Sequence, residues 1–114
     1  ATRLYAICLD RQFVGTLKLE GVQAGGWANL ALMIGEPRII GHGVGRRAIT
    51  SACQLAARAG CCGVWAGVRE QNLASRYAFE RAGFSDSGLV PPSIIEATRA
   101  WPRRPARLAL WRRL

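Results

Sequence analysis

Apolar and polar positions along the chain alternate in a way that predicts a mixed α/β protein. Short apolar runs predict strands over residues 3–9, 13–19, 27–34 and 61–68, and a weaker alternation predicts a last strand over 107–111. The first two strands, joined by a turn at residues 10–12, form an antiparallel hairpin in this interpretation. The third is apolar on both of its faces, which predicts a central, buried strand.

Helical spacing of apolar residues predicts a helix over 46–59, which Gly60 ends, and a second over 73–82, with Asn72 as its N-cap and Gly83 as its stop. A short helix is expected between residues 92 and 100. The strand over 27–34, the first helix and the strand over 61–68 form a β-α-β unit. Because such crossovers are right-handed, the two strands are expected to be parallel.

Three alternating glycines, Gly41, Gly43 and Gly45, stand between that strand and helix. Glycine lets a backbone approach a ligand closely, and the free N–H groups and dipole of a helix N-terminus favour an anion. Arg46 and Arg47 place positive charge in the first turn, where it opposes the helix dipole unless an anion is bound. The stretch therefore predicts a pyrophosphate site; the alternative is a glycine-rich turn without a ligand.

This stretch resembles motif A of the GNAT superfamily of N-acetyltransferases, R/Q-x-x-G-x-G/A. Residues 38–43 match every position, and residues 40–45 match the glycines with Ile40 where Arg or Gln is usual, as in the ribosomal-protein acetyltransferase branch. The run 72–84 resembles motif B, N-x-x-[AS]-x-x-x-[YL]-E-[KR]-x-G-F. The residues that match motif B are Asn72, Ser75, Glu80, Arg81, Gly83 and Phe84. Together the resemblance covers about residues 12–84.

The resemblance implies one domain over residues 1–114, with a central mixed sheet whose two parallel strands splay apart between flanking helices. It implies that the pantetheine arm of acetyl-CoA lies between these strands and that an amine attacks the thioester directly. A backbone amide near Leu32 or Met33 would stabilise the oxyanion. The implied cofactor-binding residues are Leu32, Met33, Ile34, Arg38, Ile40, Gly41, His42, Gly43, Val44, Gly45, Arg46, Asn72 and Phe79.

The chain departs from the family pattern at the position of the general acid. Many relatives carry Tyr where this sequence has Phe79, and phenylalanine has no proton to give. Ser75 lies one turn earlier on the same helical face, and a serine there is the proposed thiolate partner in the ribosomal-protein branch. Ser75 is therefore the predicted catalytic residue; the alternative is a hydroxyl that bonds to its own helix. Tyr77 should point elsewhere.

Family members normally begin with a strand and two helices that form much of the acceptor site, whereas this sequence opens inside the hairpin. The fold is therefore expected without those elements, and an exposed sheet edge would favour a homodimer. No residue is an evident general base. Glu36 and Glu20 are the carboxylates nearest in sequence to the central strand.

Net charge adds a possible polyanionic partner. The 114 residues carry a formal charge of +9, and all basic residues except Lys18 are arginine. Residues 97–114 hold six of these arginines and no acid, which indicates contact with RNA or the ribosome, or else a solvated surface. The alternative function is accordingly a non-catalytic module that binds CoA, or RNA and the ribosome.

Cysteine usage indicates a reducing compartment. Four cysteines lack paired C-x-x-C spacing and the single histidine lies in the glycine stretch, so no metal site is expected, and Cys61-Cys62 reads as a pair of buried strand residues. Neither a membrane span nor a signal peptide is visible, which favours the cytoplasm. The leading interpretation is an acetyl-CoA-dependent N-acetyltransferase that acts on a primary amine of a protein N-terminus or of a small molecule.

Overall fold

The computed structural model describes residues 1–35 and 43–114. It confirms the predicted order of elements with small shifts in their ends. The strands are β1 (Arg3–Leu9), β2 (Gln12–Glu20), β3 (Trp27–Ile34), β4 (Gly63–Arg69) and β5 (Arg107–Arg113). The helices are α1 (Val44–Arg58), α2 (Leu73–Arg81) and α3 (Pro92–Thr98).

The five strands form one sheet in the order β1-β2-β3-β4-β5. Neighbouring strands are antiparallel except for β3 and β4, which are parallel, as the crossover through α1 requires. The predicted mixed sheet flanked by helices is therefore confirmed.

The main core lies between the sheet and the helices α1 and α2, on what we call the helix face. The apolar stripe of α1, including Ile49, Ala52 and Ala56, is fully buried against Leu19 and Leu30. Side chains at alternate positions of β4 and β5 complete this layer because alternate strand residues point to opposite faces.

The opposite side, the outer face, is covered only in part. Ile94 of α3 packs there against a cluster of tryptophans on β4 and β5. Over β1, β2 and β3 no described element covers this face, and Leu4 and Met33 are each 70% exposed. The prediction that β3 is buried on both faces was therefore wrong, although β3 is the central strand.

Two predicted boundaries were also wrong because backbone geometry acts before the apolar pattern begins. Gly43, with φ of 78°, is the N-cap of α1, so the helix starts at Val44. The Cys61 N–H donates to the Ala56 carbonyl at the end of α1, so Cys61 lies outside β4. Cys62 is exposed, which contradicts its prediction as a buried strand residue.

Gly15 on β2 lies where the backbone of β3 leaves no room for a side chain. A β-carbon at this position would overlap the carbonyl oxygen of Met33. Backbone atoms held in a central strand cannot move as the end of a flexible side chain can. The pairing of β2 with the far end of β3 therefore requires glycine here.

Gly15→Ala should lower the free energy of unfolding by about 2–3 kcal/mol, since a core that is forced to take an extra methyl must shift its backbone. Gly35→Ala is the matched control, because a β-carbon at that position would meet nothing within 4 Å and needs no left-handed backbone. Urea unfolding should place the control within about 0.5 kcal/mol of the parent. Equal stability of both variants would contradict the close approach of β2 and β3.

Candidate active site

The two parallel strands pair over only three positions and then part. β3 and β4 are in register at Trp27–Gly63, Ala28–Val64 and Asn29–Trp65. Beyond this point β3 remains paired with β2 as far as Ile34, and β4 remains paired with β5 as far as Arg69. The facing edges of β3 and β4 therefore carry backbone N–H and C=O groups that the sheet does not use.

A cleft of about 260 Å³ occupies the gap between the parted strands. It is bounded by β3 on one side, by α2 on the helix face and by two tryptophans on the outer face. It is thus a passage through the sheet that opens toward both faces. Its lining residues are Asn29, Leu30, Ala31, Leu32, Trp65, Gly67, Ser75, Phe79, Trp101 and Arg107.

Helix α2 is fixed at its start and at its end. The Asn72 carboxamide oxygen accepts a hydrogen bond from the Ser75 N–H at 3.1 Å, which confirms the predicted N-cap. At the other end, the Arg112 guanidinium donates to the Ala82 carbonyl at 3.1 Å and so ties α2 to β5. Burial raises the pKa of the neighbouring Cys53 thiol, an effect that the Arg112 charge opposes, so this cysteine stays a neutral core residue.

Two side chains of α2 reach the cleft, Ser75 and Phe79. The Phe79 ring is 3% exposed and packs edge-on against Phe84, with 5.0 Å between centroids. The hydroxyls of Thr50 and Thr98 bond to the carbonyl four residues earlier. No such bond to a described residue is found for the Ser75 hydroxyl.

Tyr77, the other hydroxyl-bearing residue of α2, points away from the cleft as expected. It is 63% exposed, and the Arg81 guanidinium lies 5.7 Å from the centroid of its ring. Among the described residues of α2, only Ser75 can therefore offer a hydroxyl proton within the passage.

The N-terminus of α1 has the properties of an anion site. No side chain caps it, its first turn contains no acid, and Arg46 and Arg47 are exposed there. Gly43 directs the chain into the helix in the left-handed region, with φ of 78°. The free N–H groups and the positive end of the helix dipole are therefore left for a ligand.

This N-terminus lies beside the helix-face mouth of the cleft. A β-carbon on Gly45 would stand 3.7 Å from the Ile34 side chain, 3.8 Å from Ala78 and 3.9 Å from Leu32. The first turn of α1 thus rests against the end of β3 and the middle of α2. A phosphate held there would be next to the passage.

The structure brings together part of the predicted site. Leu32, Ser75 and Phe79 line the cleft, and Ile34 lies with Val44 and Gly45 at its helix-face mouth. Met33 projects its side chain from the outer face, so only its backbone is available to the cleft. The other predicted binding residues, Arg38, Ile40, Gly41 and His42, lie outside the described residues, as does Glu36.

Sequence reasoning missed the outer half of the passage. Asn29, whose side chain donates to the Trp65 carbonyl at 3.4 Å, lies where the strands part. Trp101 covers Gly67, where a β-carbon would lie 2.7 Å from the indole. A glycine inside a strand is a signal of close approach, and here the approaching group is the chain's own Trp101.

Other features add little chemistry. A second depression of about 220 Å³ lies on the outer face, and its lining residues Phe13, Val14, Gly15, Thr16, Met33 and Gly35 include no ionisable side chain. Within residues 1–35 and 43–114 no three His, Cys, Asp or Glu side chains come together as a metal site would require. No helix in that part of the chain has the length and hydropathy needed to cross a membrane.

Comparison with known proteins agrees with this geometry. The family model described as "Acetyltransferase (GNAT) family" matches residues 1–84. The chain belongs to this family. The class of protein that the two motifs predict, an acetyltransferase that uses acetyl-CoA, is therefore confirmed. No curated protein sequence matches the chain.

Solved structures share the fold at low sequence identity. A domain from Methanocaldococcus jannaschii is 16% identical with a TM-score of 0.76, over 99% of this chain and 67% of that one. Spermidine N-acetyltransferase from Vibrio cholerae, in complex with CoA and spermine, is 16% identical with a TM-score of 0.75, over 99% and 66%. Mycobacterium smegmatis RimJ, in complex with CoA-disulfide, is 24% identical with a TM-score of 0.77, over 98% and 53%.

These likenesses establish the GNAT fold over nearly the whole chain. The chain spans about two thirds of the first two structures and about half of the third. The acceptor and the residues that act on it must therefore be argued from the cleft itself.

Proposed function

We propose that this chain transfers the acetyl group of acetyl-CoA to a primary amine, with the thioester in the cleft between β3 and β4. The observation that carries the proposal is the parting of these strands after Asn29 and Trp65 beside the uncapped N-terminus of α1. A phosphate site and a passage with unpaired backbone edges are what a pyrophosphate joined to an amide-bearing arm would need.

The arm of the cofactor contains amide groups that suit the free edge of β3. In this proposal it binds the backbone of Leu32, Met33 and Ile34 as an added strand would. The pyrophosphate is held by the N–H groups of α1 and by Arg46. Motif A also assigns Arg38, Ile40, Gly41 and His42 to the cofactor, while Asn72 and Phe79 hold the position of α2.

The reaction proceeds by direct attack. The neutral amine nitrogen forms a bond to the thioester carbon, and the carbonyl oxygen becomes an oxyanion that a backbone amide near Leu32 or Met33 stabilises. The bond between carbon and sulfur then breaks, and the amine loses its extra proton to water. Ser75 donates a hydrogen bond to the leaving thiolate, because its hydroxyl faces the cleft where Phe79 offers none.

Ser75→Ala should lower kcat by about a hundredfold, the low end for a positioned proton donor, since a hydroxyl has a high pKa. The acetyl-CoA dissociation constant should change little, because the bond to sulfur is made mainly in the transition state. The Asn72 cap uses the backbone N–H of residue 75, which alanine retains. Turnover on one verified amine and calorimetric binding of acetyl-CoA would measure both effects.

Two further variants sharpen that experiment. Ser51→Ala changes an exposed serine of α1 and should leave turnover unchanged. Phe79→Tyr restores the commoner family acid and should recover part of the rate in the Ser75→Ala background. Full activity of Ser75→Ala would remove Ser75 from the mechanism. A parent that binds acetyl-CoA but acetylates no amine would instead favour the non-catalytic alternative.

The acceptor class within this proposal is a small-molecule amine or a protein N-terminus. Spermine, named in the Vibrio cholerae structure, represents the small-molecule class. A homodimer belongs to the same proposal, supported by the edge strand β1 and by the exposed Leu4, Phe13 and Met33 on the uncovered outer face.

An RNA or ribosome contact is a second candidate function, favoured by Arg103 and Arg104. Both side chains are exposed in the irregular segment between α3 and β5. They can be replaced without touching either element, whereas Arg107 and Arg112 belong to β5. Arginines that contact phosphates make binding steeply dependent on salt, since each contact releases counterions.

Replacing both Arg103 and Arg104 by Gln should therefore flatten the dependence of RNA affinity on salt. Each lost phosphate contact should make the logarithmic slope shallower by about 0.7 for a single strand. Filter binding or fluorescence anisotropy across a salt series would measure this slope. The double variant Arg3→Gln with Arg58→Gln removes the same charge elsewhere, and an equal loss there would show that net charge alone is responsible.

A further inference from the structure

The acceptor reaches the thioester through the outer mouth of the cleft, a step that depends on the proposed function. The N-terminus of α1, with its phosphate site, lies on the helix face, so the cofactor fills that mouth. The remaining mouth opens on the outer face. The lining residues that project there from β3 and β4, and from the segment after α3, are Asn29, Ala31, Trp65, Gly67, Trp101 and Arg107.

Two arginines stand at this outer mouth. Arg107 is the cross-strand partner of Arg69, so both side chains project from the same face, and both residues are exposed. Like charges directly opposite each other destabilise a strand pair. The ion pairs found within the described residues, Lys18–Glu20 and Glu96–Arg99, involve neither arginine. An anion bound between them would relieve the repulsion.

Arg107 is held in a position to bind such an anion. Its guanidinium lies 5.9 Å from the centroid of the Trp101 ring, and Trp101 in turn packs on Gly67 and 6.1 Å from Trp65. A guanidinium that rests on an aromatic ring keeps its N–H donors free at the edge and can bind a carboxylate with two hydrogen bonds.

Negative charge is lacking where a cationic acceptor would need it. None of the described residues that line the cleft is an acid. Glu20 is the cross-strand partner of Asn29, but it lies one strand away and its carboxylate is 2.8 Å from the Lys18 ammonium. A polyamine entering here would meet two arginines without a counter-charge.

We propose that Arg107, with Arg69 beside it, binds a carboxylate of the acceptor, so that the substrate is a primary amine that also carries a carboxylate. The positive charges disfavour the ammonium form of the amine and so increase the neutral, nucleophilic fraction. This effect reduces the need for a general base in the passage. A free amino acid and the start of an acidic peptide offer the same chemistry.

Two matched pairs of acceptors test the proposal and separate these sources. Alanine is compared with alaninamide, and the peptide Ala-Glu-Ala-Ala amide with Ala-Gln-Ala-Ala amide. Alaninamide has the less basic amine, so a preference for alanine would run against the supply of neutral amine. The carboxylate member of at least one pair should show about 10- to 100-fold higher kcat/KM, as hydrogen bonds to a charged group allow.

Arg107→Gln should abolish this preference by raising KM for the carboxylate acceptor while leaving its uncharged partner unchanged, and Arg107→Lys should retain part of it. Arg113→Gln is the matched control. Arg113 lies on the same face of β5, with its guanidinium 5.3 Å from the Trp27 ring, but it pairs with Gly63 where β3 and β4 are still joined. Its replacement should leave the preference intact.

The outcomes separate this inference from the function on which it rests. Transfer to amines without preference in either pair would overturn the carboxylate site alone. An equal loss for both members of a pair in Arg107→Gln would also overturn it, since that is the result of a structural role. A parent that binds acetyl-CoA yet acetylates nothing in a mixed-amine screen would overturn both proposals.

Discussion

The separation of β3 from β4 after Asn29 and Trp65 is the constraint on which the structure depends. Two parallel strands can part only if each keeps its other neighbour, which β2 provides for β3 and β5 provides for β4. Unpaired backbone groups inside a protein require partners. The fold therefore leaves a slot that an amide-bearing ligand can complete, and α1, α2 and Trp101 define its walls.

The pattern of the sequence could predict the elements because each has a local signal. Asn72 does cap α2, and Gly60 does follow the end of α1. The pattern could not predict how the outer face is covered, since that depends on which elements pack there. Met33 is apolar but exposed for this reason, and Cys62 leaves the strand because its N–H bonds to the Gly26 carbonyl.

The candidate site was predictable in its inner half only. Ser75 and Phe79 follow from helical spacing, which is local, and the structure places both at the cleft. Trp101 and Arg107 come from a part of the chain with no motif, and only the pairing of β5 with β4 brings them to the opening. The arginines that suggested RNA from sequence thus have, in Arg107, a place at the proposed catalytic passage.

Binding of acetyl-CoA at the N-terminus of α1 is the central claim, and calorimetry on Gly43→Asp and Gly25→Asp tests it most directly. The two glycines have φ of 78° and 76°, and a β-carbon on either meets nothing within 4 Å, so both substitutions add equal strain and charge. We predict that Gly43→Asp weakens binding by more than about a hundredfold through repulsion of the phosphates, whereas Gly25→Asp binds as the parent does. Unchanged affinity in a folded Gly43→Asp would contradict the account.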